Sequence, residues 1–266
     1  MNENLGTRLP APHLKLAVVI STWTGSSPEH LNRLLRSMQR YPAGVNYESY
    51  LCANGISYRL PEDLAGLFSS VMIRENTGFN LGAWDHAWRR LCGYTHVLFL
   101  QDDCFVQKKN WLLDFVRCFQ SGTGCGLVGE NYNKGWDYSW SELTERAKHA
   151  SPGKTHSEEK IDRAAYYLKT LKDWGIDPGR SARHITTVVQ FTAIAVLEAV
   201  NGYTPADSYE KAIAAEIGFS KKIEAEGYHI RQIGRHRHSR IGHPQWPRDD
   251  FFPRIRRSLK KRHILL

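Results

Sequence analysis

Apolar and polar positions follow two alternating rhythms along the chain. Leu16 to Ile20 (LAVVI) is a continuous apolar, β-branched run with the length of a strand covered on both faces. It gives way to the small polar stretch Ser21-Thr22-Trp23-Thr24-Gly25. Ser27 and Pro28 supply an N-cap and a first helical position, and Leu31, Leu34, Leu35 and Met38 recur at helical spacing behind them. Tyr47 to Ala53 predicts a second strand ending at Asn54-Gly55, and Val71 to Ile73 a short third. Trp84 to Leu91 reads as a helix, His96 to Leu100 (HVLFL) as a fourth strand, and Trp111 to Phe119 as a helix. Thr187 to Val196 returns to the sheet. Tyr209 to Glu226 is a helix stopped by Gly227, and Tyr228 to Ile233 is a last strand.

This order predicts an α/β fold with a mixed, mostly parallel sheet flanked by helices. The polar loops at Thr22, Asn54 and Asp102 all follow the carboxyl ends of apolar strands, the edge where open α/β sheets bind ligands. We therefore treat the three loops as one candidate site. The segment from Asn131 to Arg183 is aromatic, charged and glycine-punctuated, and is expected to form helices and loops covering that site. Without repeats or low-complexity linkers, the economical division is one domain over residues 1–240 and a basic tail over 241–266.

Composition narrows the class. Of 266 residues, 41% are apolar and 24% charged, which excludes collagen-like, coiled-coil and mainly disordered chains. No run approaches the roughly 18 to 20 apolar residues of a membrane span, and Met1 to Leu9 lacks the apolar stretch of a secretion signal. Five cysteines without a CxxC pair argue for buried free thiols in a reducing cytoplasm. The net charge of +9 favours an anionic partner. Six cations and no acids lie between Phe251 and Leu266, interleaved with apolar residues, a pattern that fits an anionic membrane surface.

Four constellations could carry chemistry. Asp102 and Asp103, directly after a buried strand, are costly unless a cation resolves their repulsion, and a hard divalent ion shared with substrate phosphates would do so. Asn76-Thr77-Gly78-Phe79-Asn80-Leu81-Gly82 has the glycines and asparagines of a loop that lets a ligand approach backbone. Glu216, on the 209–226 helix, could take a proton from a hydroxyl. His236 and His238 share a face if their segment is extended, and either could complete a metal site, with His243 a competitor. Each has a plain alternative: a solvated turn, a helix start, a surface acid, a basic strand.

Taken in order, these pieces resemble the family-2 glycosyltransferases with the GT-A fold. VVISTWTG (Val18 to Gly25) is similar to the family's first strand and nucleotide loop, and NTGFNLGAW (Asn76 to Trp84) to its NxGFxxGA segment, especially in rhamnan-synthesis-type proteins. LFLQDD (Leu98 to Asp103) is similar to the DxD-type motif, FTAIAVLEAVNGY (Phe191 to Tyr203) to the acceptor-side strand and helix, and Ala215-Glu216 to the Glu-Asp pair. Ala53 and Ala215 stand where the family carries acids.

The resemblance implies an inverting, metal-dependent transferase. It would move a hexosyl or deoxyhexosyl group from a nucleotide-diphosphate sugar to a glycan or polyprenyl-linked acceptor, in surface polysaccharide or lipopolysaccharide assembly. It implies nucleotide-sugar contacts from Ser21, Thr22, Trp23, Asn54, Asn76, Gly78, Asn80 and Asp102, Mn²⁺ or Mg²⁺ on Asp103 and His238, and Glu216 as base. The aromatics of 131–183 would face sugars. The expected location is cytoplasmic, with peripheral attachment to the inner membrane face, and no nucleic acid is expected. Two other readings stay open: a degenerate transferase that binds without turnover, and a basic nucleic-acid-binding protein.

Overall fold

The structure, a computed structural model, describes residues 14–149 and 162–245. The N-terminal stretch and the basic residues of the tail lie outside the described residues.

The first half of the chain builds a parallel sheet. Strand β1 (Leu16–Trp23) is followed by α1 (Pro28–Arg40), β2 (Glu48–Asn54), the short α2 (Glu62–Ala65) and β3 (Ser70–Arg74). Then come α3 (Phe79–Trp88), β4 (His96–Gln101), the two-residue β5 (Phe105–Val106), α4 (Trp111–Gln120) and β6 (Cys125–Gly129). The second half contains α5 (Trp140–His149), α6 (Arg163–Asp173), β7 (Val189–Ala193), α7 (Ile194–Ala199), α8 (Tyr209–Ala225), β8 (His229–Gln232) and β9 (Ile241–Gly242). Seven strands form one sheet in the order β3-β2-β1-β4-β7-β6-β8, with β7 antiparallel to both neighbours. β1 sits between β2 and β4, so the order of winding reverses there and the carboxyl ends of β1 and β4 open a crevice.

The sheet is buried on both faces, which is why its central strands read as unbroken apolar runs. One face packs on α1 and α4 through Val18, Ile20, Leu34, Leu98, Phe115 and Phe191. The other packs on α3, α7 and α8 through Val19, Trp84, Phe99, Leu197 and Phe219. Trp84 stacks on Phe99 with ring centroids 5.2 Å apart and closes its indole N–H on Ser21 Oγ at 3.0 Å.

Several expectations change. The helix expected from Trp84 starts at Phe79, because Gly78 adopts a left-handed φ of 71° as its N-cap and the loop residues Asn80 and Gly82 enter the first turns. Strand β6 escaped the sequence reading: Gly126 and Gly129 break its apolar run, and a Cβ at either would collide with Tyr228 or Ile185. Ser27 occupies the N-cap of α1 without bonding its side chain there. Residues 241–245, grouped with the tail, belong to the folded body, since β9 pairs with β5. Of the five free cysteines, Cys92 is exposed and Cys118 half-buried. The 131–183 segment forms α5 and α6 around a third apolar cluster that includes Trp140, Tyr167 and Leu171. Its aromatics pack on that cluster rather than lining the crevice, with Trp136 and Tyr167 centroids 5.0 Å apart.

Candidate functional site

At the carboxyl ends of β1, β2 and β4 lies a cleft of about 920 Å³. Ser21, Thr22, Trp23, Asn54, Asn76, Gly78, Asn80, Asp102 and Asp103 all line it. The structure also adds residues that the sequence reading passed over, among them Ser26, His30, Asp207 and Gln245. His30 was findable, as the third residue of a helix expected to begin at Pro28 beside a strand end. Asp207 had no such signal, because its approach depends on the turn between α7 and α8.

The cleft wall is tied together from below. Thr22 Oγ1 donates to Asp102 Oδ2 at 2.6 Å, and Ser21 Oγ donates to the Leu100 carbonyl at 3.2 Å. Asn54 is spent on structure: its amide donates to the Phe79 carbonyl at 2.8 Å and its oxygen accepts from Arg74 Nη1 at 2.5 Å. Asn80 and Gln101 both donate to the Thr187 carbonyl, at 2.7 and 2.8 Å. Trp23 remains 49% exposed and offers a free aromatic surface at the rim.

Burial pushes the Asp102 carboxyl above the usual range, against the opposing hydrogen bonds from Ser26 and Thr22. Its neighbour has a different environment. Asp103 Oδ1 and His243 Nε2 are 2.9 Å apart, yet their geometry makes no hydrogen bond, and neither buried atom has another hydrogen-bond partner among the described residues. Two ligand-type atoms this close, with no hydrogen bond between them, could share a hard or borderline cation. Among the described residues no group of three or more His, Cys, Asp or Glu side chains converges as a metal cage. A divalent ion would therefore need waters and substrate phosphate oxygens in its other positions, the usual arrangement for Mg²⁺ and its relatives. The Gln245 amide donates to His243 Nδ1 at 3.2 Å, so a cation at Nε2 would make that amide swing away.

The 234–240 segment is bent and turned, not extended, which corrects the expectation that His236 and His238 share a face. His236 is exposed. His238 is fully buried, with a left-handed φ of 51° and Nδ1 3.2 Å from the Ile241 carbonyl. Its ring centroid lies 6.4 Å from that of His243, and it is His243 whose Nε2 stands 2.9 Å from Asp103 Oδ1. Glu130 fixes this loop. Its carboxyl accepts from the backbone amides of Ser239, Arg240 and Ile241 at 2.7, 2.9 and 2.6 Å. Burial pushes the group up to about 7, despite those three bonds.

Glu216 is not among the residues lining the cleft; it is bonded by Thr187, whose carbonyl accepts from the lining residues Asn80 and Gln101. His184 Nε2 lies 2.9 Å from Glu216 Oε1, while the Thr187 amide (2.9 Å) and hydroxyl both donate to Oε2. Burial alone would raise its pKa, but the bonds from His184 and Thr187 outweigh it and hold the carboxyl below its usual value. His184 Nδ1 is 2.7 Å from the Ala182 carbonyl and so carries a proton. Asp207, on the cleft wall, is exposed and bonded by Lys211 Nζ at 2.9 Å, which lowers its pKa.

Comparison with known proteins bears on the fold. No protein-family model and no curated protein matches the sequence. Among solved structures, the fold is similar to the mannosyltransferase PcManGT from Pyrobaculum calidifontis in complex with GDP-Man and Mn²⁺. The TM-score is 0.50 and the identity 13%, over 84% of this chain and 56% of that one. S. aureus TarS 1–349 in complex with UDP-GlcNAc aligns with a TM-score of 0.45 and 14% identity, over 78% of this chain and 54% of that one. The chain thus spans a little over half the length of these two solved chains. The mixed, mostly parallel sheet flanked by helices is of the GT-A type.

Proposed function

We propose that the chain is a glycosyltransferase that uses a nucleotide-diphosphate sugar as donor. One observation carries this reading. An acidic pair ends the buried strand β4 on the wall of a nucleotide-sized cleft, and Asp103 Oδ1 there faces His243 Nε2 without a hydrogen bond. The fold likeness to a transferase solved with GDP-Man and Mn²⁺ supports it.

In this reading Trp23 covers the nucleobase, Thr22 and Asp102 face the ribose, and Asn76, Gly78 and Asn80 flank the sugar. Asp103 and His243 would hold Mn²⁺ or Mg²⁺, which supplies charge neutralisation for a departing diphosphate. The acceptor hydroxyl oxygen forms its bond to the anomeric carbon as the bond from that carbon to the diphosphate oxygen breaks. Attack from the opposite face inverts the centre. The hydroxyl proton passes to a carboxylate, for which Glu216 is the first candidate, since His184 and Thr187 keep it anionic. Asp207 is the second, favoured by its place on the cleft wall.

A glycan or polyprenyl-linked acceptor, a hexosyl or deoxyhexosyl donor and a role in surface polysaccharide assembly complete the proposal. The test is a panel of nucleotide sugars with Mn²⁺, scored by release of nucleoside diphosphate. Release from one donor class in wild type and none in Asp103→Ala supports the reading, and equal release by both ends it. Tight binding without release would favour the degenerate alternative.

A further inference from the structure

A stripe of arginines runs along the outer face of α1. Arg33, Arg36 and Arg40 recur at three- and four-residue steps, which places them on one side of the helix, and all three are exposed. They edge a groove of about 480 Å³ that also includes Tyr41, Phe105 and Val106, and Glu29 is the one carboxylate among its lining residues. The Arg33 guanidinium lies 5.3 Å from the centroid of Phe105, and that of Arg40 lies 5.4 Å from the centroid of Tyr41. Among the described residues no carboxylate pairs with these three guanidiniums. The groove shares no lining residue with the cleft, but it adjoins it: Arg33 Nη2 donates to the Asp103 carbonyl at 2.6 Å.

We propose that this groove seats the phosphate groups of anionic lipids and docks the chain on a negatively charged bilayer face. Guanidinium forks match pairs of phosphate oxygens, and cations set on apolar rings suit the boundary between headgroups and acyl chains. The wall strand β5 pairs with β9, after which the chain continues into a sequence with six cations and no acids from Phe251 onward. That tail is repelled as an occupant of the groove by its own charge, and the same charge adds to attraction for an anionic surface. A single-stranded nucleic acid fits less well, because guanidiniums already lie against both rings it would stack upon.

The proposal does not need the transferase reading, and its test uses no turnover. The full chain is sedimented with vesicles of phosphatidylglycerol and phosphatidylcholine in equal parts, and with phosphatidylcholine alone. The variant is Arg36→Gln with Arg40→Gln; Arg33 is left in place because it touches the Asp103 backbone. The charge-matched control is Lys169→Gln with Lys172→Gln on exposed positions of α6. Both pairs keep good helix formers, and circular dichroism confirms that each variant is folded. We expect the groove variant to partition about thirtyfold more weakly onto the anionic vesicles, and the control to lose much less. Equal loss in the two variants, or wild-type binding that ignores phosphatidylglycerol, overturns the proposal. So does preferential capture of an oligonucleotide over anionic vesicles that depends on Arg36 and Arg40.

Discussion

Asp103 Oδ1 and His243 Nε2 lie 2.9 Å apart although their segments are distant in sequence, one just past β4 and the other just after β9. The pairing of β5 with β9 brings the two segments together, and Glu130 clamps the loop between. If these atoms hold a cation with a nucleotide diphosphate, Mn²⁺ and nucleotide should raise the melting temperature together more than either does alone. A ligand present at about a hundred times its dissociation constant adds on the order of 2.7 kcal/mol. Asp103→Asn should abolish the joint shift, and His243→Ala should weaken Mn²⁺ affinity by about tenfold or more. A full joint shift in Asp103→Asn would remove the metal from the reading.

The fold was legible because the central strands β1 and β4 are buried on both faces and so announce themselves as apolar runs. So was the cleft, because polar residues placed just past buried strand ends have few structural excuses. What stayed hidden depends on pairings distant in sequence. His243 could not be preferred over His238 until β9 was seen against β5, and β6 could not be found while its glycines answered to Ile185 and Tyr228. Asn54 looked like a ligand contact, but its hydrogen bonds to Phe79 and Arg74 give it a structural task that no local pattern reveals.

The two carboxylates that could serve as base, Glu216 and Asp207, make opposite predictions. Glu216 is bonded by His184 and Thr187 and its side chain is only 13% exposed, whereas Asp207 is at the surface. If Glu216 takes the proton, Glu216→Gln should lower transfer by about a hundredfold or more while donor binding stays near wild type. Asp207→Asn should then change transfer little. The reverse pattern in a transfer assay, alongside a separate donor-binding measurement, assigns the role to Asp207.

The His184–Glu216 pair also predicts an acid limb in stability. The folded-state pKa of Glu216 lies below its unfolded value, so the pair's contribution is present above the unfolded pKa and is lost as pH falls through the folded one. Removing one partner of a buried pair costs about 3 to 5 kcal/mol. Urea titrations of His184→Ala should show a loss of that order near neutrality, shrinking toward acid. A constant difference across pH would mean that the two groups are not electrostatically coupled.

Gly78 governs the cleft rim. Its φ of 71° starts α3, and a Cβ there would stand 3.1 Å from both Gly82 Cα and Pro205 Cβ. Gly78→Ala should cost about 1 to 2 kcal/mol from the left-handed conformation alone. If the cleft takes a nucleotide sugar as proposed, the added methyl should also weaken its binding by crowding the Pro205 side. A variant less stable by that amount but with unchanged donor affinity would separate the rim from the binding surface.

Glu130 makes the remaining prediction, and its sign is opposite to that of Glu216. Its carboxyl is raised from 4.5 to about 7 by burial, so between those values the folded protein holds a proton that the unfolded chain has released. Stability attributable to this group is therefore full below the unfolded pKa and falls as pH rises toward about 7, by up to about 3 kcal/mol. Once ionised, the carboxylate still accepts from the amides of Ser239, Arg240 and Ile241, so the loop carrying His243 keeps its anchor. Glu130→Gln cannot ionise, and its amide N–H₂ would face one of those backbone donors. The variant should be less stable at every pH and should lose the decline seen in wild type between about pH 5 and pH 7. Urea midpoints measured across that range give the answer: parallel curves for the two proteins would show that the Glu130 proton is not what sets the slope.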